Sequence, residues 1–135
     1  MNSPIATELK LRTASRVLQV TFADAQVFEL PFEYLRVHSP SAEVKGHGPG
    51  QEVLVTGKSG VGIRAIEPVG QYAVKLVFDD GHDTGLFTWK YLFELGRDQA
   101  ANWQRYQDRV AAATAAREKA MEAYAAKAHK KGPSC

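Results

Sequence analysis

The sequence predicts an α+β fold, a small antiparallel β-sheet domain with two short helices followed by a long C-terminal helix. Three observations carry that expectation. Short runs alternate apolar and polar residues with the period of two expected of half-buried strands, separated by turn-forming residues. The clearest run, Tyr72 to Phe78, ends at Asp79-Asp80-Gly81, and Asp-Gly is a strong hairpin signal because glycine accepts positive φ and aspartate tolerates it. From Arg97 onward the composition shifts to the good helix formers Ala, Arg, Gln, Glu and Lys, with no Gly or Pro until Gly132.

Taken in order, Glu8 to Leu11 reads as an edge strand and Arg16 to Phe22 as a stronger one, with Val17 and Leu18 starting alternate faces. Ala23-Asp-Ala-Gln26 makes a turn without the usual glycine, and Val27 to Leu30 pairs back as the second arm of a hairpin. Pro31 suits the first position of a short helix running to Arg36, with Phe32 and Leu35 on one side. Residues 37 to 50 have no period and are dense in Gly, Pro and Ser, which makes them a mobile loop. Val53 to Val55 is a brief apolar stretch, Val61 to Glu67 alternates, and Pro68-Val-Gly70 punctuates.

In the central hairpin the pattern places Tyr72, Val74, Leu76 and Phe78 on the more buried face. A returning strand covers about Thr84 to Thr88. Trp89 then opens a short helix that Gly96 is placed to end. The division expected is an α+β domain over 5–96, a helix over 97–131 and a disordered tail over 132–135. Along the helix Trp103, Tyr106, Val110, Ala113, Arg117, Ala120 and Tyr124 form a narrow stripe at spacings of three and four. Its bulky first half, from Asp98 to about Val110, is expected to pack, and contact to end beyond about Ala116.

At 135 residues the chain has material for one modest core. It holds 17 Lys and Arg against 15 Asp and Glu, and the excess of positive charge lies in the C-terminal helix, which reads as a solvated surface rather than a nucleic-acid arm because no aromatic residues interleave a basic cluster. No apolar run is long enough for a membrane span, and Met1-Asn-Ser-Pro-Ile5 has no secretory pattern, so a cytoplasmic location is expected. The single cysteine, Cys135, excludes an internal disulfide.

Familiar catalytic patterns are missing. Gly46, Gly48 and Gly50 precede a strand rather than a helix N-terminus, so they offer no phosphate cradle. Gly57-Lys58-Ser59 lacks the first glycine of a phosphate-binding loop, whose place falls at Gln51 or Glu52. None of the serines sits in a nucleophile elbow. Phe87 and Trp89 read as core or as hairpin-to-helix packing.

Two segments, Leu35-Arg-Val-His-Ser-Pro-Ser-Ala-Glu-Val44 and Val69 to Trp89 with its Asp79-Asp-Gly-His-Asp-Thr-Gly85 core, resemble the domain found at the N-terminus of gamma-butyrobetaine hydroxylase. That domain also occurs alone in bacteria and fused to iron–sulfur carrier ATPases. The resemblance covers about residues 5 to 96. In metal-containing relatives three cysteines of the first segment and the histidine of the second hold a structural zinc. The matching positions here are Ser39, Ser41, Val44 and His82, of which only the histidine remains a good zinc ligand, so the resemblance implies a lost zinc site.

The sequence therefore leads to a non-catalytic protein-interaction module without cofactor, possessed of a degenerate metal corner and linked through its fused relatives to iron–sulfur or redox metabolism. The candidate surface is His38, Ser39, His47, Asp79, Asp80, Gly81, His82, Asp83, Gly85 and Trp89. In it, His82 is expected to bond a loop carbonyl or a serine, and Asp83 to cap the following turn. The expected partner is a protein, the expected state a monomer. The alternative is a protein that handles iron or zinc through His82, Asp79, Asp80 and the loop histidines His38 and His47.

Overall fold

The computed structural model describes residues 3–41, 44 and 53–130. The chain divides into two compact units, Met1–Asn102 and Trp103–Cys135. The first contains β1 (Ala6–Arg12), β2 (Val17–Phe22), β3 (Val27–Pro31), α1 (Phe32–Val37), β4 (Ile63–Val69), β5 (Ala73–Phe78), β6 (Leu86–Thr88) and α2 (Trp89–Arg97), and α3 (Gln99–Lys130) starts at its end. Two three-stranded antiparallel sheets form, ordered β1-β2-β3 and β4-β5-β6. This is the α+β arrangement the alternating runs predict.

Each sheet puts its most apolar strand in the middle. Leu18, Val20 and Phe22 of β2 and Val74, Leu76 and Phe78 of β5 are buried, together with Leu30, Leu35, Phe87, Leu92 and Leu95. Burying a side chain of this size contributes about 1.5–3 kcal/mol relative to leaving it in water. Thr88 caps α2 by accepting the Tyr91 N–H at 3.0 Å.

Three sequence expectations need correction. Tyr72 does not join the buried face of β5, because it lies in the turn before the strand and is 71% exposed. Gly96 does not end α2, which continues through Arg97 to Asp98 at its C-cap. Its missing side chain serves packing instead, since a Cβ there would overlap the Phe28 ring. Pro31 is the last residue of β3 and the N-cap of α1, with the extended ψ of 145° that a strand end requires.

The two sheets are built on one repeated plan. β1 and β4 each skip one residue in pairing, between Ala6 and Glu8 and between Ile63 and Ala65. The residue before each strand accepts a backbone bond of 2.9 Å from just past the middle strand, Ala23 N–H to Ile5 O and Asp79 N–H to Gly62 O. Each middle strand ends in phenylalanine and the same tight turn, in which Phe22 bonds Ala25 and Gln26 while Phe78 bonds Gly81 and His82. Ala25 and Gly81 both take positive φ, 74° and 90°. In each turn an aspartate Oδ1, of Asp24 or Asp80, accepts the N–H two residues on at 3.1 Å. Each helix opens with a backbone bond to the preceding turn, Phe32 N–H to Arg16 O and Trp89 N–H to Tyr72 O.

Reciprocal contacts join the two βββα halves. Tyr34 of α1 donates its hydroxyl to Leu95 O at 2.6 Å, and Tyr91 of α2 donates to His38 O at 2.5 Å. Such mutual exchange of equivalent contacts is the signature of a two-fold arrangement. Phe28 against Gly96 and Gly85 against Ser39 form a second exchanged pair, with bulk and space on opposite partners.

The second unit is described from Trp103 along α3. The Trp103 and Tyr106 rings stack at 5.1 Å, and Gln104 Nε2 donates to Asp108 Oδ1 one turn on. Every side chain from Ala111 to Ala126 is exposed, including Met121 and Tyr124.

Candidate functional site

The candidate corner lies where the segment after α1 meets the β5–β6 turn. Gly81 supplies the positive φ that folds this turn, which brings His82 back beneath Phe78. Ser39 is fully buried and His82 is 5% exposed; Ser39 Oγ and His82 Nε2 share a hydrogen bond of 2.8 Å. The Ser41 N–H donates weakly to Ser39 Oγ at 3.4 Å, and the Val44 N–H bonds Ser41 O. Gly85 leaves the room for Ser39, since a Cβ on it would overlap the Ser39 hydroxyl. The four positions matched to zinc ligands are thus gathered, and the sequence expectation that His82 bonds a serine holds.

A second network surrounds Asp80. Its Oδ2 accepts Arg36 Nε at 2.9 Å and Lys58 Nζ at 2.7 Å, while Oδ1 accepts the His82 N–H. Burial alone raises the Asp80 carboxyl pKa, but the bonds from Lys58, the His82 N–H and Arg36 outweigh it and hold the pKa down at about 2. The Arg36 guanidinium lies over the Phe78 ring at 6.0 Å. The Asp80 carboxylate thus closes the turn that precedes Asp83. Asp79 is used differently, accepting the Gly62 N–H at 2.9 Å through Oδ1.

The donor set does not fit a zinc ion. Two ligands on one tetrahedral zinc, each about 2.0–2.1 Å from the metal, stand roughly 3.3 Å apart, which is wider than the Ser39–His82 hydrogen bond. Val44 offers no donor, and the Ser41 hydroxyl is buried with no hydrogen-bond partner among the described residues. Among those residues no three His, Cys, Asp or Glu side chains gather closely enough to hold a metal. Asp80 is committed to two cations and His82 to Ser39.

The predicted surface splits by depth. Ser39, His82 and Gly85 are buried, while Asp79, Asp80, Gly81 and Asp83 form an exposed tip, although the Asp80 carboxylate turns back toward Arg36 and Lys58. Trp89 is half-buried, its Nε1 donating to Gln71 O at 2.9 Å. His38 is half-buried at the C-cap of α1, with Nδ1 3.0 Å from Tyr34 O. His47 and most of the 37–50 loop lie outside the described residues. Arg36, Lys58, Tyr34 and Tyr91 were not singled out by sequence. The Leu35-Arg36 pair within the family-like segment was the one available signal for Arg36.

These features agree with comparison to known proteins. The family model described as gamma-butyrobetaine hydroxylase-like, N-terminal, matches residues 9–93, and the chain belongs to that family. Two structures solved by NMR in solution are similar to it, one at 55% identity covering 84% of both chains with a TM-score of 0.74, the other at 48% identity covering 84% of this chain and 89% of that one with a TM-score of 0.72. A crystal structure of a protein of unknown function from Acidithiobacillus ferrooxidans, of the DUF971 family, is 43% identical over 67% of this chain and 91% of its own, with a TM-score of 0.58. No curated protein matches the chain. Among the described residues no helix is long and apolar enough to cross a membrane.

Proposed function

We propose that this chain is a non-catalytic module that binds a partner protein through the acidic tip Asp79–Asp83. The observation that carries this reading is the inward use of the corner's reactive groups. His82 is spent on Ser39, and the Asp80 carboxylate on Arg36 and Lys58, so neither is presented for proton transfer or metal exchange. What faces solvent is a short turn bearing Asp79, Gly81 and Asp83, fixed from beneath by those bonds. A surface held in one shape loses little entropy on binding. Fusion of related domains to iron–sulfur carrier ATPases supports a partner in iron–sulfur or redox metabolism.

The test is site-specific photocrosslinking in the cells that make the protein. A photoreactive residue at Asp83 is expected to give one discrete adduct that Asp79→Lys abolishes, while the same probe at exposed Arg64 gives none. Equal labelling at both positions, or turnover of a substrate that depends on His82, would overturn the reading.

A further inference from the structure

A pocket of about 420 Å³ opens in the first half of the repeat, lined by Ser3, Pro4, Ile5, Phe22, Ala23, Asp24 and Phe93. Its size falls within the range of small-ligand sites. The repeat gives it a direct comparison. Phe22 and Asp24 correspond to Phe78 and Asp80, and Phe93 of α2 stands where Arg36 of α1 stands in the other half. There, Arg36 and Lys58 both pair with the aspartate, and the Arg36 guanidinium lies over the Phe78 ring. In the first half the ring neighbour is Phe93, packed edge-on against Phe22 at 5.3 Å, and among the described residues no lysine or arginine pairs with Asp24. The Gln26 backbone N–H, and then its side-chain amide, hold the Asp24 carboxylate in place and lower its pKa.

We infer that this pocket binds a primary alkylammonium group, its carbon stem against Phe22 and Phe93 and its ammonium on Asp24, reproducing the contact that Lys58 makes with Asp80. The chemistry is complementary at each point: aromatic rings attract a cation and cover an alkyl stem, and an ionised carboxylate accepts its hydrogen bonds. Such a group is carried by a lysine side chain of another protein or by a free alkylamine. The site is separate from the acidic tip and does not rest on it.

The experiment is an amide-shift NMR titration of the full chain with Nα-acetyl-lysine amide, with n-butylamine, and with the uncharged Nα-acetyl-norleucine amide. Saturable shifts at Ala23, Asp24 and Phe93 are expected with one or both amines, and Asp24→Asn is expected to weaken binding about tenfold while leaving the fold intact, because the asparagine carbonyl still accepts the Gln26 N–H. Tighter binding of the lysine amide assigns the natural source to a protein, and tighter binding of butylamine to a small metabolite. Equal binding of the norleucine amide, indifference to Asp24→Asn in a folded variant, or no saturation with either amine would overturn the inference.

Discussion

Tyr34 and Tyr91 hold equivalent places in α1 and α2, and each donates its phenol hydroxyl to a carbonyl four residues beyond the other, at Leu95 and His38. The two halves of the first unit are fastened by this exchange. Replacing either tyrosine by phenylalanine removes one of these two bonds and is expected to cost about 1–3 kcal/mol. Tyr34→Phe should cost more, because the Tyr34 oxygen also accepts Asn102 Nδ2 at 3.0 Å. Urea denaturation measures both; an unchanged midpoint for Tyr34→Phe would contradict the account.

The alkaline limit follows from the same pair. Burial first, then the nearby Tyr34 and Glu94, push the Tyr91 pKa up to about 12. A group whose neutral form is favoured by folding supports stability fully below its unfolded value near 10 and loses that contribution as pH rises toward 12. The alkaline loss of stability should therefore be shallower in Tyr91→Phe, as read from denaturation midpoints across that range.

Ser39 and Ser41 should respond differently to truncation. Ser39→Ala removes the partner of the buried His82 nitrogen and is expected to destabilise by about 1–3 kcal/mol. Ser41→Ala removes a buried hydroxyl with no partner among the described residues, so it should be neutral or mildly stabilising. Equal losses in thermal unfolding would show that both hydroxyls are structural.

The paired turns give a backbone prediction. Ala25 carries at φ 74° the strain that Gly81 avoids at φ 90°. Ala25→Gly is expected to stabilise by about 0.5–1 kcal/mol and Gly81→Ala to destabilise by about 1–2 kcal/mol. Chemical denaturation of the two variants decides it.

Much of this fold is legible in sequence because the alternating runs and Asp80-Gly81 act locally. The repeat is not, since its two halves share little beyond Phe22 and Phe78, Asp24 and Asp80, and Tyr34 and Tyr91, with a one-residue slip at two turns. Ala25 hid a left-handed turn that glycine would have signalled. Gly96 gave the opposite error, reading as a helix stop when its job is to admit Phe28. At the site, the Ser39–His82 contact followed from the family pattern, whereas Lys58 reaches Asp80 from a segment without periodicity. Only tertiary structure joins such residues.

The acid limb belongs to Asp80. A carboxylate held at about 2 contributes fully above its unfolded value near 3.8 and loses that contribution as pH falls through 2. Asp80→Asn should lower stability at neutral pH and flatten the fall below pH 4, as read by urea midpoints from pH 2 to 6. An unchanged acid limb would assign it to other carboxylates.

The account turns on His82 serving Ser39 rather than a metal, and nitrogen-detected NMR of the His82 imidazole tests this most directly. One neutral tautomer, altered by Ser39→Ala and unmoved by an equivalent of zinc or ferrous ion, is the predicted result. A displacement of the His82 nitrogens that saturates at one equivalent of either metal would contradict it.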